Sequence, residues 1–234
     1  MSQDASPGLL ARWRDRYREV GLSVILGLLA TIMFVVSPLA GASMLSGEAI
    51  EALRFAVAAT AILIVSRNRL ITAAVAVTFV VSLLGAALLR SSAAGQAVYL
   101  VNIGLTIAFD LAVAWTVAHA AFDAGRINIH RILGAVILYL YIGLIFASLY
   151  RLLAAFLHPS FGGLPVGRRN LAELLYFSLS TLTTSGYGDI VPVHPFVRSL
   201  ANLESVIGQL YPATFLARLV TLHTTVTGPG PDKD

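Results

Sequence analysis

The chain has 234 residues, of which 57% are hydrophobic and only 12% are charged. Soluble domains carry about 25% charged residues, so this composition indicates a membrane protein. There are no cysteines, which excludes disulfides and thiolate-bound metals. Fifteen of the 16 basic residues are arginines, and they are scattered, so the net charge of +4 does not indicate nucleic-acid binding.

Residues 1–19 are predicted to form a cytoplasmic segment, because four arginines precede the first apolar run and positive charge favours the inner side of a membrane. The run over residues 20–40 predicts a transmembrane helix. The run with its flanks, ending in Ala40-Gly41-Ala42, is also typical of a secretory signal peptide with a small-residue cleavage site. A signal core has only about 7–15 apolar residues, so the length of this run favours a retained helix.

Six apolar runs are long enough to cross roughly 30 Å of hydrocarbon as helices. They cover residues 20–40, 49–66, 71–89, 96–120, 132–153 and 196–222. The sequence therefore predicts an all-α membrane protein with a four-helix membrane domain over residues 20–120 and a cytoplasmic linker over residues 121–131. Residues 132–222 form a second membrane domain, and residues 223–234 form a short cytoplasmic tail.

The charges between the runs agree in part with this topology. Positive residues fall on the inner side at Arg67, Arg69, Arg126 and Arg131, and acidic residues fall outside at Glu48 and Glu51. Four further arginines around the last two runs would lie outside, against the same rule, at Arg151, Arg168, Arg169 and Arg198. The first helices carry most weight in this rule, so they set the predicted orientation.

The fourth run, residues 96–120, contains no lysine or arginine and a single acid, Asp110. A membrane helix that senses voltage needs several basic residues, since each unit charge moved through 100 mV contributes about 2.3 kcal/mol. Steep voltage sensing is therefore not predicted. Asp110 must be satisfied inside the helix bundle, either by Arg67 or Arg69 or, when protonated, by a backbone group.

The segment between the last two runs has the pattern of a re-entrant loop. Residues 158–169 are rich in glycine and proline, and residues 171–183 are apolar and helical but too short to span. Asn170 is a favourable N-cap, and Glu173 completes a capping-box pattern. A half-helix followed by irregular backbone is tolerated in a membrane only where it lines a water-filled cavity. We therefore predict a pore helix over residues 171–183.

The residues after this helix read Thr184-Ser185-Gly186-Tyr187-Gly188-Asp189. This motif resembles the selectivity filter of potassium channels, which reads Thr-Val-Gly-Tyr-Gly followed by Asp. The order of outer helix, pore helix, filter and inner helix over residues 132–222 is also the order of that family. The six predicted crossings resemble the six-transmembrane, one-pore-loop plan of bacterial potassium channels, but without the voltage-sensor arginines.

The resemblance implies a column of oxygen rings that replace the hydration shell of K⁺. Thr184 would contribute its hydroxyl and carbonyl, and the carbonyls would continue along the motif through Ser185, Gly186, Tyr187 and Gly188. The two glycines can adopt the unusual dihedrals that such a column needs. Each chain supplies one loop and a ring needs four, so the resemblance also implies a homotetramer.

Three further residues are expected to support the filter, namely Tyr176, Ser180 and Asp189. Tyr176 is placed to hydrogen-bond Asp189, as a tryptophan does in related channels. Ser180 stands where the family often has an acid behind the filter. Ser185 replaces the usual valine, and its side chain should contact the pore helix. Because the carbonyl of Ser185 is unaffected, we expect selectivity to survive while filter stability differs.

The gating candidates lie on the inner helix at Glu204, Gly208, Pro212, Phe215 and Leu219. Gly208 lies where the family commonly has a hinge glycine, and Pro212 acts on the same turn, so a kink is predicted there. Close helix packing is the alternative role for Gly208. Phe215 and Leu219 are candidates for a hydrophobic constriction or for ordinary packing. Glu204 has either a structural role or a role in gating and permeation.

The sequence thus predicts a potassium-selective channel that is not steeply voltage-gated, and not an enzyme. The alternatives are a weakly selective cation channel, because of Ser185, or a transporter-type or auxiliary membrane subunit. No cofactor is expected besides permeant K⁺; the expected partners are three further copies, membrane lipid and a possible separate regulatory protein. A bacterial inner membrane with both termini in the cytoplasm is the expected location.

Overall fold

The structure, a computed structural model, describes residues 23–41, 96–122, 129–164 and 171–226, together with residues 53, 77, 80 and 81. Several predictions from the sequence lie outside the described residues. They concern the segment 1–19, the runs 49–66 and 71–89 as helices, the cap at Asn170, Arg67 and Arg69 as partners of Asp110, and the tail after residue 226.

Helices make up most of the described chain. They are α1 over Ser23–Leu39 with a π-helical turn at Ile32–Val36, α2 over Gln96–Phe122, α3 over Ile129–Phe156, α4 over Leu171–Leu182 and α5 over Pro195–Val226. Within this part, α2 and α3 provide two segments long and apolar enough to cross a membrane, Gln96–His119 and Ile132–Phe156. Each helix starts or ends within a few residues of the predicted run.

The largest core cluster joins α1, α2 and α3. Buried Leu29 of α1, Phe109 and Val113 of α2, and Tyr141 and Leu144 of α3 belong to it. Asp110 is fully buried beside this cluster, and the Ser148 hydroxyl of α3 donates to its Oδ2 at 3.4 Å. The buried acid on α2 therefore has a hydrogen-bonding partner on the next helix of the chain.

Arg151, near the end of α3, is also buried. Its guanidinium lies 5.3 Å from the centre of the Tyr99 ring on α2, a distance typical of a cation–π contact. An arginine held between two helices has a packing role besides its charge. Arg151 therefore has a local structural role in the contact between α2 and α3.

A short antiparallel sheet, absent from the all-α prediction, joins the chain before α4 to the chain after residue 189. Strand β1 is Phe161–Gly162 and strand β2 is Val191–Pro192, with Phe161 opposite Pro192. The next residue, Gly163, has a φ of 82°, and a Cβ atom there would lie 1.8 Å from the Asp189 carbonyl oxygen. Only glycine fits this conformation and contact, which brings the two loops against each other.

Candidate functional site

The segment 184–189, named here the filter segment, leaves the carboxyl end of α4 and stays bonded to its last turn. The amide of Thr184 donates to the Thr181 carbonyl at 3.0 Å. The amides of Ser185 and Gly186 both donate to the Ser180 carbonyl, at 2.9 and 3.2 Å. Carbonyls at a helix end lack partners within the helix, so these bonds satisfy them and fix the start of the segment.

The backbone of the filter segment alternates in the sign of φ. Thr184, Gly186 and Gly188 have φ values of 57°, 54° and 81°, whereas Ser185 and Tyr187 between them are not in the positive-φ region. Alternation of the sign of φ is the backbone pattern by which successive carbonyls can point to one side of a chain. The unusual dihedrals that the sequence predicted for the two glycines are thereby confirmed.

Thr184 takes a positive φ without being glycine, which the sequence did not reveal. A β-branched residue is a genuine outlier in this region of backbone space. The strain costs about 1–3 kcal/mol and persists only where the surroundings impose it, most often at functional sites. The bonds to α4 supply such surroundings, because they anchor residues 183, 185 and 186, which lie on both sides of the strained residue.

The side chains expected to support the segment are brought together by α4. The rings of Tyr176 and Tyr187 stack with their centres 5.9 Å apart and their planes 10° from parallel. Tyr176 also hydrogen-bonds the Asp189 carboxylate. The Ser180 hydroxyl lies 3.4 Å from the Tyr187 amide, and the Ser185 hydroxyl lies 3.0 Å from that of Thr183. The side chain of Tyr187 is thus directed onto α4.

A cavity of about 650 Å³ borders this tyrosine pair. Met33 and Phe34 of α1 form one wall, and Leu140 of α3 and Leu179 of α4 form others. The filter segment therefore has a tightly bonded side toward α4 and an open, mostly apolar space beside Tyr187.

One face of α5 packs along the carboxyl end of α4. Four residues lie on this face, because they are adjacent in sequence or one helical turn apart: Glu204, Ser205, Gly208 and Gln209. The Ser205 hydroxyl donates to the Thr181 carbonyl at 3.4 Å, and the Gln209 amide donates to the Thr184 hydroxyl at 2.9 Å. This face is called the inner-helix seam below.

Gly208 provides the closest backbone approach in the seam. A Cβ atom at this position would lie 1.9 Å from the carbonyl oxygen of Leu182 and 2.8 Å from its carbonyl carbon. Helix α5 stays helical through Gly208 and Pro212. Of the two roles considered for Gly208, close packing is the one with a direct contact in this structure.

Glu204 connects three helices above Gly208. Its carboxyl group is fully buried, Tyr150 of α3 donates to Oε2 at 2.6 Å, and Ser178 of α4 hydrogen-bonds Oε1. The Ser178 hydroxyl also lies 2.8 Å from the carbonyl oxygen of Gly143 on α3. An acid inside a membrane domain must be paired with polar groups, and this junction supplies them.

A second contact set ties α3 to α5 at the level of the α4 end. The Tyr139 hydroxyl donates to the Leu182 carbonyl at 3.2 Å, and the Tyr211 hydroxyl donates to the Ala135 carbonyl at 2.8 Å. The two rings lie 5.6 Å apart. Further along α5, Phe215 is half-buried and Pro212 is exposed, while the side chain of Leu219 lies outside the described residues.

The oxygen atoms of residues 184–188 are carbonyls and hydroxyls. Across the described ranges, no group of three or more His, Asp or Glu side chains is placed to hold a metal ion. Uncharged oxygens in a column suit a monovalent hard cation that is bound weakly enough to leave again.

Residues 134–225 match the model of a family described as Ion channel. The match covers nearly all of α3, then α4, the filter segment and almost all of α5. It supports an ion channel of the two-helix pore-domain family and points to a channel rather than an enzyme. With two helices of membrane-spanning length, it indicates a membrane protein. No curated protein matches the chain.

Some residues of this site could not be found from the sequence. The β1–β2 pair and the contact of Gly163 with Asp189 join segments separated by the whole of α4. Gln209 could have been found from the sequence, because an amide beside Gly208 within an apolar helix is unusual. Polar residues in membrane helices usually have a functional or structural role.

Proposed function

We propose that the chain is one subunit of a homotetrameric potassium-selective channel whose ion path runs along Thr184, Ser185, Gly186, Tyr187 and Gly188. The observation that carries this proposal is the alternation of φ in a Thr-Ser-Gly-Tyr-Gly segment bonded to the end of a short helix. Carbonyls on one side of four such segments would form the stacked oxygen rings that replace the hydration shell of K⁺.

The surface of α5 supports assembly into a tetramer. Leu203, Val206 and Leu210 are each more than half exposed in the single chain, while Glu204 beside them is fully buried. The inner helix thus presents one polar seam to α4 and an apolar side that no other described element covers. Fourfold symmetry would bury part of this side between subunits and close the ring of filter segments.

Gating in this proposal is not steeply dependent on voltage. Helix α2 has no lysine or arginine, and its single acid, Asp110, is buried against Ser148. The remaining parts of the proposal are six transmembrane helices, both termini in the cytoplasm and a bacterial inner membrane. They rest on the apolar runs and on the charge pattern of the sequence.

A weakly selective cation channel is the second candidate, and Ser185 is the observation that favours it. The Ser185 side chain faces the Thr183 hydroxyl at 3.0 Å, where a valine would pack two methyl groups. A hydroxyl contact in place of branched apolar packing would hold the backbone of the filter segment less rigidly. Less rigid rings of carbonyl oxygens discriminate less between cations of different size.

Ion uptake into liposomes that contain the purified protein tests the proposal. We expect K⁺ uptake down a gradient, little Na⁺ uptake and block by Ba²⁺. Gly186→Ala should abolish uptake, because an alanine at a φ of 54° is strained. Gly104→Ala, on α2, is the matched control and should conduct, since a Cβ there meets no atom within 4 Å.

The alternatives give different results in the same assay. Equal uptake of Na⁺ and K⁺ would identify the weakly selective channel. No uptake of either ion would contradict the channel proposal for this chain alone and would favour a transporter-type or auxiliary subunit.

A further inference from the structure

We propose that Gln209 is a positioning residue for the innermost ion site, where its side-chain amide fixes the orientation of the Thr184 hydroxyl. This inference rests on the proposed function, because Thr184 binds an ion only if the filter segment conducts. It assigns a role to a residue of α5 outside the filter motif itself.

The geometry brings the amide to Thr184 from a helix that is itself held in place. Gly208, the preceding residue, lies against the Leu182 backbone so closely that no side chain fits between them. One turn earlier, Ser205 donates to the Thr181 carbonyl at 3.4 Å. With α5 fixed at these two points, Gln209 Nε2 reaches Thr184 Oγ1 at 2.9 Å.

The chemistry of the threonine hydroxyl explains why such a donor matters. The oxygen has two lone pairs and one hydrogen, so an amide that occupies one lone pair leaves the other for an ion. Threonine exchanges its hydroxyl and methyl between rotamers, because both groups branch from Cβ. A hydrogen bond from Gln209 selects the rotamer in which the oxygen stays at the base of the segment.

Loss of the amide therefore weakens one particular ring of oxygens. Without it, the methyl group of Thr184 can replace the hydroxyl at the base of the segment in part of the population. The carbonyl rings above would be formed by the backbone of residues 185–187, whose amides all hydrogen-bond Ser180 of α4. The effect is confined to the innermost site, the first that an ion meets from the inner cavity.

Gln209→Met tests this role, because methionine has a similar length and no donor. The readout is block by Ba²⁺ applied from the inner side of planar bilayers. Ba²⁺ is close to K⁺ in size and doubly charged, so it rests at the oxygen rings. We expect the Ba²⁺ dissociation constant to rise about three- to tenfold, the factor that corresponds to one hydrogen bond. Asn202→Leu, which removes an exposed amide earlier on α5, is the control and should leave block unchanged.

A double-mutant cycle with Thr184→Ala separates positioning from general packing. In the Thr184→Ala background, Gln209→Met should have no further effect on Ba²⁺ affinity, because the hydroxyl it orients is gone. Calorimetric titration of the purified variants with Ba²⁺ provides the same cycle if Thr184→Ala does not conduct.

The outcomes separate this inference from the proposed function. A wild type that conducts K⁺ together with unchanged Ba²⁺ affinity in Gln209→Met would overturn the role of Gln209 alone. An equal effect in the presence and absence of the Thr184 hydroxyl would also overturn it. A wild type that conducts no K⁺ would contradict the proposed function and this inference with it.

Discussion

Glu204 of α5 is a buried acid, and its two hydrogen-bonding partners lie on two other helices. Tyr150 on α3 and Ser178 on α4 each hydrogen-bond one of its carboxyl oxygens. The rings of Phe161 and Phe177 pack edge-on against Tyr150 and exclude other polar partners from that side. The junction therefore depends on a side chain that can bond both neighbours at once.

Glu204→Ala is expected to destabilise the protein by about 1–3 kcal/mol, because the buried hydroxyl of Tyr150 loses its acceptor. Glu204→Gln should stay close to the wild type. Its carbonyl can accept from Tyr150 and its amide can donate to Ser178, which leaves the Ser178 hydroxyl for the Gly143 carbonyl. Thermal unfolding of the purified protein in detergent measures both variants. If glutamine destabilised as much as alanine, the hydrogen-bonded junction would not be what Glu204 contributes.

The residues of the filter segment show what a sequence can and cannot reveal at this scale. Gly186 and Gly188 were predicted to take unusual dihedrals because glycine does so at little cost, and they do. Thr184 gives no such sign, since threonine normally avoids positive φ. Its strain is imposed by bonds to residues of α4, and those bonds exist only in the folded chain.

Helix α5 packs on the end of α4 through a contact that leaves no room for a side chain at position 208. Gly208→Ala would place a Cβ 1.9 Å from the Leu182 carbonyl oxygen, which is backbone and cannot rotate away. We expect a loss of about 1–3 kcal/mol in stability, typical of overpacking, and reduced conduction because the displaced residues lead into the filter segment.

Gly104→Ala is the matched control for this prediction. Gly104 lies in helix α2, and a Cβ there meets no atom within 4 Å. Alanine in a helix is favoured over glycine by roughly 1 kcal/mol, so this variant should be as stable as the wild type or more so. Thermal unfolding and K⁺ uptake compare the two. Equal behaviour of both variants would show that the α4–α5 contact tolerates a methyl group.

At the scale of elements, composition and length predicted the helices well and their connections poorly. The predicted pore helix over 171–183 is Leu171–Leu182, and the inner helix predicted over 196–222 is Pro195–Val226. The strands β1 and β2 were missed because two-residue strands have no periodicity to detect. The close contact of Gly208 with α4 was only one of two alternatives in the sequence, because small residues serve both bending and packing.

In one part of the molecule the functional prediction rests on individual residues, and in the other part it rests only on the hydropathy pattern. The ion-channel match and the bonded filter segment fall within residues 134–225. Residues before this range were predicted from apolar runs and the charges between them, which give a number of helices and an orientation but no site. Asp110 illustrates the limit: its burial was predicted from its position in a run, whereas its contact with Ser148 required the packing of two helices.

Assembly belongs to the same scale, because a single filter segment cannot surround an ion. In a single chain, the apolar side of α5 is exposed and the space beside Tyr187 is open. Burial of this surface between four copies would supply the ring closure that the proposal requires. A channel built in this way conducts as an oligomer and discriminates between ions by the spacing of its carbonyl oxygens.

The reversal potential of wild-type channels in a planar bilayer, with K⁺ on one side and an equal concentration of Na⁺ on the other, tests the central claim most directly. We predict a reversal potential that corresponds to at least about a hundredfold preference for K⁺, a discrimination of about 2.7 kcal/mol. A reversal potential near zero would contradict a potassium-selective filter at residues 184–188.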